Sequence, residues 1–199
     1  AFRAPTIGEQ FGTFGGFATP NPDLDAETSE GFDAGVEQTL LDERITFDVT
    51  YFYNDVENQI AFQNTSFLNI EAVRTRGYEI TLDLRPHEQF LIQTNYTWTD
   101  ALDRSTGAQL LRAPEEVVSV NANWNSADER LNVNVNARYV GSRLDKDFST
   151  FPATDITKPS HTVWDANASY AFTEKLEGYV RMDNIFNKDY QVIEGFGTA

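Results

Sequence analysis

In the stretch RLNVNVNARYVGSR, every second residue from Leu131 to Tyr139 is apolar and the residues between are Asn or Arg. In an extended chain this puts Leu131, Val133, Val135, Ala137 and Tyr139 on one face, and Asn132, Asn134, Asn136 and Arg138 on the other. A helix would scatter the same side chains around its circumference, so the period of two specifies a strand with one dry and one wet face. VVSVNANWN repeats the division, with Val118, Val120, Ala122 and Trp124 opposing Ser119, Asn121, Asn123 and Asn125. RITFDVTYFYN, FLIQTNYTWTD, HTVWDANASYAF and LEGYVRMDN follow it as well, rich in the Val, Thr, Tyr and Phe that suit a pleated surface.

Counting ETSEGFDAGVEQTLL and FLNIEAVRTRGYEITLDL, the pattern predicts about eight strands, most of them longer than the usual five or six residues. The links between them alternate in length. LDER, RPHEQ, NSADER and TEK are short and polar, whereas VENQIAFQNTSF, DALDRSTGAQLLRAPEE and SRLDKDFSTFPATDITKPS are long. An antiparallel meander with short turns at one end and long loops at the other is the plan of an outer-membrane barrel. Tyr53, Trp98, Trp124, Tyr139 and Tyr170 stand near strand ends, where such barrels carry aromatic girdles, and Trp98 and Trp124 are assigned to the lipid side. Periodicity alone leaves two other folds open, a soluble β-sandwich and a small closed barrel of about eight strands.

Composition removes several functions. Thirty-one Asp and Glu against 15 Lys and Arg give a formal net charge of −16, which repels a phosphate backbone, so no nucleic-acid partner is expected. The chain has no Cys, and its two His, His87 and His161, lie far apart; no metal site and no cofactor are expected. Acidic pairs such as Glu115 with Glu116 are what an acidic chain gives by chance, and no GxSxG, glycine-rich phosphate loop or HExxH is present. DALDRSTG lacks the ordered ligand positions of a calcium loop. The chain is therefore not expected to be an enzyme. No run approaches the roughly 20 apolar residues of a spanning helix, a criterion blind to spanning strands.

MDNIFNKDYQV, Met182 to Val192, resembles the penultimate-strand segment of TonB-dependent outer-membrane receptors. Three further stretches resemble the same family in the expected order: FRAPTIGEQF at Phe2 to Phe11, NPDLDAETSEGFDAGVEQ at Asn21 to Gln38, and VRTRGYEITLDL at Val73 to Leu84. In the second, Pro22 biases Asn21 toward an extended shape, and Asp23, Glu27, Thr28 and Ser29 are placed to satisfy backbone groups where a loop becomes a strand. In MDNIFNKDYQV, the alternation ending at Met182 breaks at Asp183 and Asn184, with Ile185, Phe186 and Tyr190 expected to anchor a membrane rim and Asn187, Lys188 and Asp189 to sit in water.

The resemblance implies an all-β, antiparallel, up-and-down transmembrane barrel of about 22 strands, of which residues 1–199 would be the carboxyl-terminal part, without the signal peptide, plug domain and last strand. It implies a Gram-negative outer-membrane location and active uptake of a scarce ligand such as an iron–siderophore or cobalamin. Its partners would be outer-membrane lipid and, through the plug, the energy-transducing protein TonB. A passive porin-like channel is the alternative transport reading. Arg104, Arg143, Lys146, Phe148 and Phe151 are the candidate ligand-binding residues, because loop cations and exposed aromatics suit an anionic, ring-bearing ligand.

Overall fold

The computed structural model describes residues 1–12, 19–63, 65–70, 72–149 and 151–195. Every alternating window holds a strand, though FLNIEAVRTRGYEITLDL divides between two, residues 67–70 ending one and residues 73–84 opening the next. The elements are β1 (Phe2–Arg3), α1 (Ile7–Phe11), β2 (Glu27–Leu40), β3 (Ile45–Glu57), β4 (Gln59–Gln63), β5 (Ser66–Ile70), β6 (Val73–His87), β7 (Phe90–Asp103), β8 (Glu116–Asn125), β9 (Leu131–Val140), β10 (Arg143–Asp147), β11 (Thr154–Lys158), β12 (His161–Thr173) and β13 (Leu176–Met182). Their main sheet runs β1-β2-β3-β6-β7-β8-β9-β12-β13, an up-and-down meander of the eight expected long strands with the short β1 added at one edge.

Two of the predicted long loops are not plain loops. VENQIAFQNTSF contains most of a hairpin, with Gln59 opposite Ile70 and Phe62 opposite Phe67. SRLDKDFSTFPATDITKPS contains another, with Arg143 opposite Lys158 and Asp147 opposite Thr154. Each makes its own two-stranded sheet. Their composition is loop-like because five-residue strands standing away from the main sheet have no long apolar row to bury.

The chain divides into two units: 1–33 with 52–76 and 100–110, and 34–51 with 77–99 and 111–199. In the first, Thr6 caps α1, its hydroxyl accepting from the Glu9 amide while the Glu9 carboxylate accepts from the Thr6 amide. The NPDLDAE segment ties itself to the β4–β5 hairpin: Asn21 Nδ2 donates to the Phe67 carbonyl at 2.8 Å, the Asp25 amide to Asn69 Oδ1 at 2.9 Å, and the Ile60 amide to Glu27 Oε1 at 2.7 Å. The carboxylate expected to satisfy a backbone group at the loop-to-strand junction does so, for a hairpin 33 residues away.

In the second unit the register carries one apolar face across five strands. Tyr96 faces Val118 and Val118 faces Tyr139; Ile92 faces Ala122, Ala122 faces Val135, Val135 faces Ala166, and Ala166 faces Met182. A one-residue slip would turn this face inside out. Trp124 is 37 % exposed, Val180 57 % and Phe172 58 %, so among the described residues nothing covers this part of the row. A sandwich would bury it under a second sheet, and that reading fails here. Phe90 and Trp98 mark the two ends of the face on β7, eight steps apart, roughly 27 Å along the strand and about 20 Å in height at a tilt of about 40°. That matches an apolar band of about 25 Å with an aromatic at each margin. Toward one margin Tyr51, Tyr78 and Trp98 form a chain of rings, with centroids 5.2 and 6.2 Å apart.

One strand approach is closer than alternation foretells. A Cβ at Gly35 of β2 would lie 2.2 Å from Thr50 Oγ1 of β3, so only glycine fits there without the neighbour moving.

Candidate functional site

The face opposite the apolar row is a wall of amides in the second unit. Asn121 and Asn134 donate to each other's Oδ1 at 3.2 and 3.0 Å. Asn132 Nδ2 donates to Asn123 Oδ1 at 3.2 Å and Asn125 Oδ1 at 2.8 Å. These carboxamides meet because the register sets Asn121 opposite Asn136, Asn123 opposite Asn134 and Asn125 opposite Asn132, which leaves the hydrogen-bonded pairs directly or diagonally opposed. These amides spend much of their hydrogen-bonding capacity on one another, and charged residues stand in the same face: Arg138 opposite Ser119, Asp165 opposite Asn136 and Arg181 opposite Asn167.

A buried group of charges lies where the long connections emerge. Asp145, in β10, is fully buried, with 0 % exposure. Its Oδ1 accepts from Arg112 Nε at 2.7 Å and from the Lys146 amide at 2.9 Å, and its Oδ2 from the Glu194 amide at 2.7 Å. Burial pushes this carboxyl up; the Glu194 amide, the Arg112 guanidinium and the Lys146 amide together outweigh it and bring it to about 2. Arg143, 5 % exposed, donates through Nη2 to the Gln191 and Val192 carbonyls, both at 2.9 Å. Lys158 donates to Gln191 Oε1 at 2.7 Å and is ion-paired with Glu194. A cavity of about 240 Å³ opens alongside, lined in part by Lys158, His161, Lys188 and Tyr190.

The segment that follows β13 reaches this cluster because of Asn184. Asn184 adopts a left-handed φ of 50°, which asparagine tolerates. Its side chain accepts from the Lys188 amide at 2.8 Å and donates to the Lys188 carbonyl at 3.1 Å, closing a tight loop. Its own amide donates to Asp165 Oδ1 at 2.8 Å, holding the loop to β12. The strand thus ends at Met182, as the break at Asp183 and Asn184 predicts. Phe186 is exposed and lies edge-on to Trp164 with centroids 6.1 Å apart. Tyr190 departs from its expected place at a lipid-facing rim: it stacks on His161, 4.3 Å away, and His161 pairs with Val140 in the row of the polar face.

The five candidate residues occupy different settings. Arg104, in the first unit, donates from Nη1 to Asp55 Oδ2 at 2.6 Å. Arg143 is the buried clamp just described rather than an exposed loop cation, because both hairpin strands and the 191–194 segment converge on it. Lys146 is half-buried on β10, with Nζ 3.7 Å from Asp155 Oδ1 on β11. Phe148 is 69 % exposed and Phe151 fully exposed at the hairpin tip. Arg143, Lys146, Phe148 and Phe151 therefore share one hairpin of the second unit, and Arg104 does not. Arg112, Asp145, Lys158, Gln191 and Glu194 escape the sequence reading, although the short alternations RLDKD and TDITK carry a faint hairpin signal. In the calcium-like stretch, Asp103 Oδ1 accepts from the Ser105 and Thr106 amides as an ordinary turn.

Residues 1–185 match the family described as TonB dependent receptor-like, beta-barrel. Among solved structures, the chain is similar to the ferripyoverdine receptor of the outer membrane of Pseudomonas aeruginosa, with 21 % identity and a TM-score of 0.74 over 88 % of this chain and 26 % of that one. It is similar to the ferric-catecholate import receptor Fiu from Escherichia coli K12 in its closed form, with 20 % identity and a TM-score of 0.72 over 100 % of this chain and 28 % of that one. The siderophore receptor PiuA from Acinetobacter baumannii shows 19 % identity and a TM-score of 0.69, over 85 % and 26 %. The chain thus spans about a quarter of the length of these structures. It belongs to the TonB-dependent receptor-like β-barrel family, a Gram-negative outer-membrane family of transport receptors and not of enzymes.

Proposed function

We propose that this chain is the carboxyl-terminal part of the barrel of an active-transport receptor that takes up a scarce ligand, an iron–siderophore or cobalamin, in work energised by TonB through a plug domain elsewhere in the longer protein. Iron–siderophore is the favoured cargo, since three structural neighbours are receptors for such molecules. The observation that carries the reading is the contrast between the two polar regions of the second unit. The amides of the wall are bonded to one another, whereas the long-connection end buries charged groups that hold the β10–β11 hairpin and leaves aromatic rings bare. A passive channel needs no such arm. Capture of a ring-bearing anionic chelate does, because cations supply charge-assisted bonds and exposed rings supply stacking.

In this reading Phe148 and Phe151 stack on the ligand, Lys146 offers positive charge beside its Asp155 partner, and Arg143 serves from behind by fixing the arm. Titration of the purified full-length receptor with a panel of ferric siderophores and cobalamin tests it. At least one is expected to bind with a Kd of about 1 μM or tighter, weakened about tenfold or more when Phe148 and Phe151 are both alanine. No binding across the panel by folded receptor would reject the reading.

A further inference from the structure

Asp145 joins three segments that the chain keeps far apart. Arg112 belongs to the connection between β7 and β8, Asp145 to the hairpin between β9 and β12, and Glu194 to the segment beyond β13; they stand 33 and 49 residues from Asp145. A backbone contact accompanies the first junction, the Arg112 amide donating to the Leu144 carbonyl at 2.7 Å. Arg143 and Lys158, directly opposed in the hairpin, grip the second junction from the other side through Gln191, Val192 and Glu194. Two further features mark the cluster as more than ordinary surface pairing. Asp145 has no access to solvent, and among the described residues Arg143 Nη1 is buried without a hydrogen-bond partner. Buried groups of this kind hold one geometry tightly, because releasing any partner strands a desolvated charge.

We infer that Asp145 is a positioning residue that locks the β7–β8 connection, the β10–β11 hairpin and the 191–194 segment into one body, so that the tip carrying Lys146, Phe148 and Phe151 is presented at a fixed place for ligand capture. The capture role rests on the function proposed above; the locking does not. The lock also accounts for the DNIFNKDYQ stretch, since Asn184 closes the loop from which Gln191 and Glu194 reach the hairpin.

Hydrogen exchange of the full-length receptor in detergent, wild type against Asp145→Asn, tests the lock. The variant places an amide donor where either the Glu194 amide, or Arg112 together with the Lys146 amide, now finds a carboxylate oxygen. Exchange should speed about tenfold or more at 111–113, 143–149, 151–158 and 188–195 together, with β8 and β9 unchanged. Acceleration confined to the hairpin, or absent, overturns the inference. Should Asp145→Asn fail to fold, Arg112→Met removes one partner at a half-exposed site, and exchange must rise at both 111–113 and 144–147; otherwise the inference falls. For any ligand that wild type binds, Asp145→Asn should raise the dissociation rate about tenfold while leaving the association rate and the urea midpoint of the barrel near wild type. Unchanged dissociation with accelerated exchange would overturn the positioning role, and failure of wild type to bind anything would reject the proposed function while leaving the lock standing.

Discussion

The Asp145 Oδ2 atom accepts a 2.7 Å hydrogen bond from the amide of Glu194, 49 residues along the chain, and this contact ties the hairpin between β9 and β12 to the segment beyond β13. Around it a receptor-family sequence signature acquires a physical task. The residues after Met182 do not merely end a strand; they fold back through Asn184 and brace a neighbouring hairpin.

The first prediction concerns acid. Asp145 is held at about 2 in the fold, below the 3.8 of an ordinary aspartate, so its contribution to the hairpin's attachment is fully present above about pH 4 and is lost as the pH falls through about 2. The whole difference is at most about 2 kcal/mol. A spin label on Ser149, introduced as the protein's sole cysteine, should report an arm that is immobile at pH 6 and gains mobility between pH 4 and pH 2. Mobility that is flat over that range would contradict the assignment.

The second concerns strand packing. Gly35→Ala drives a methyl group to 2.2 Å from Thr50 Oγ1 and should cost about 1–3 kcal/mol in a urea titration of the detergent-folded receptor. Gly35→Ala with Thr50→Ala should recover most of the loss. A double variant no better than the single one would show that the clash is not with Thr50.

The amide wall supplies a third. Asn121 and Asn134 exchange two hydrogen bonds, so a double-mutant cycle with alanine at both positions should give a coupling of about 0.5–1.5 kcal/mol. Coupling near zero would mean that each carboxamide bonds water instead.

A fourth separates the two faces. Val135 and Asn134 are adjacent on β9 but point to opposite sides. Val135→Arg should cost about 2–4 kcal/mol of folding free energy into lipid bilayers, and Asn134→Arg about 1 kcal/mol or less beyond the loss of its hydrogen bonds. Equal costs would contradict the placement of the apolar row against lipid.

Much of this was legible in the sequence, for a reason that particular residues make plain. Leu131 to Tyr139 alternates because each side chain meets only its cross-strand neighbours and one of two solvents, so the pattern survives without knowledge of the rest of the chain. The hairpin and its lock are different in kind. Asp145 looks like any loop carboxylate until Arg112 and Glu194 arrive, and Arg143 looks like a free cation until the Gln191 and Val192 carbonyls close on it. Such contacts depend on the paths of three separate connections, about which local composition says nothing. Tyr190 shows the same dependence: an aromatic near a strand end suggests a lipid rim, but its partner is His161 on the polar face.

Energised uptake by the full-length receptor is the most direct test of the central claim. Cells lacking their own siderophore receptors, supplied with the receptor gene, should accumulate labelled iron from at least one ferric siderophore when TonB is present and lose that accumulation when TonB is deleted. Equal accumulation with and without TonB, from receptor that is folded in the outer membrane, would contradict the account and point to a passive pore.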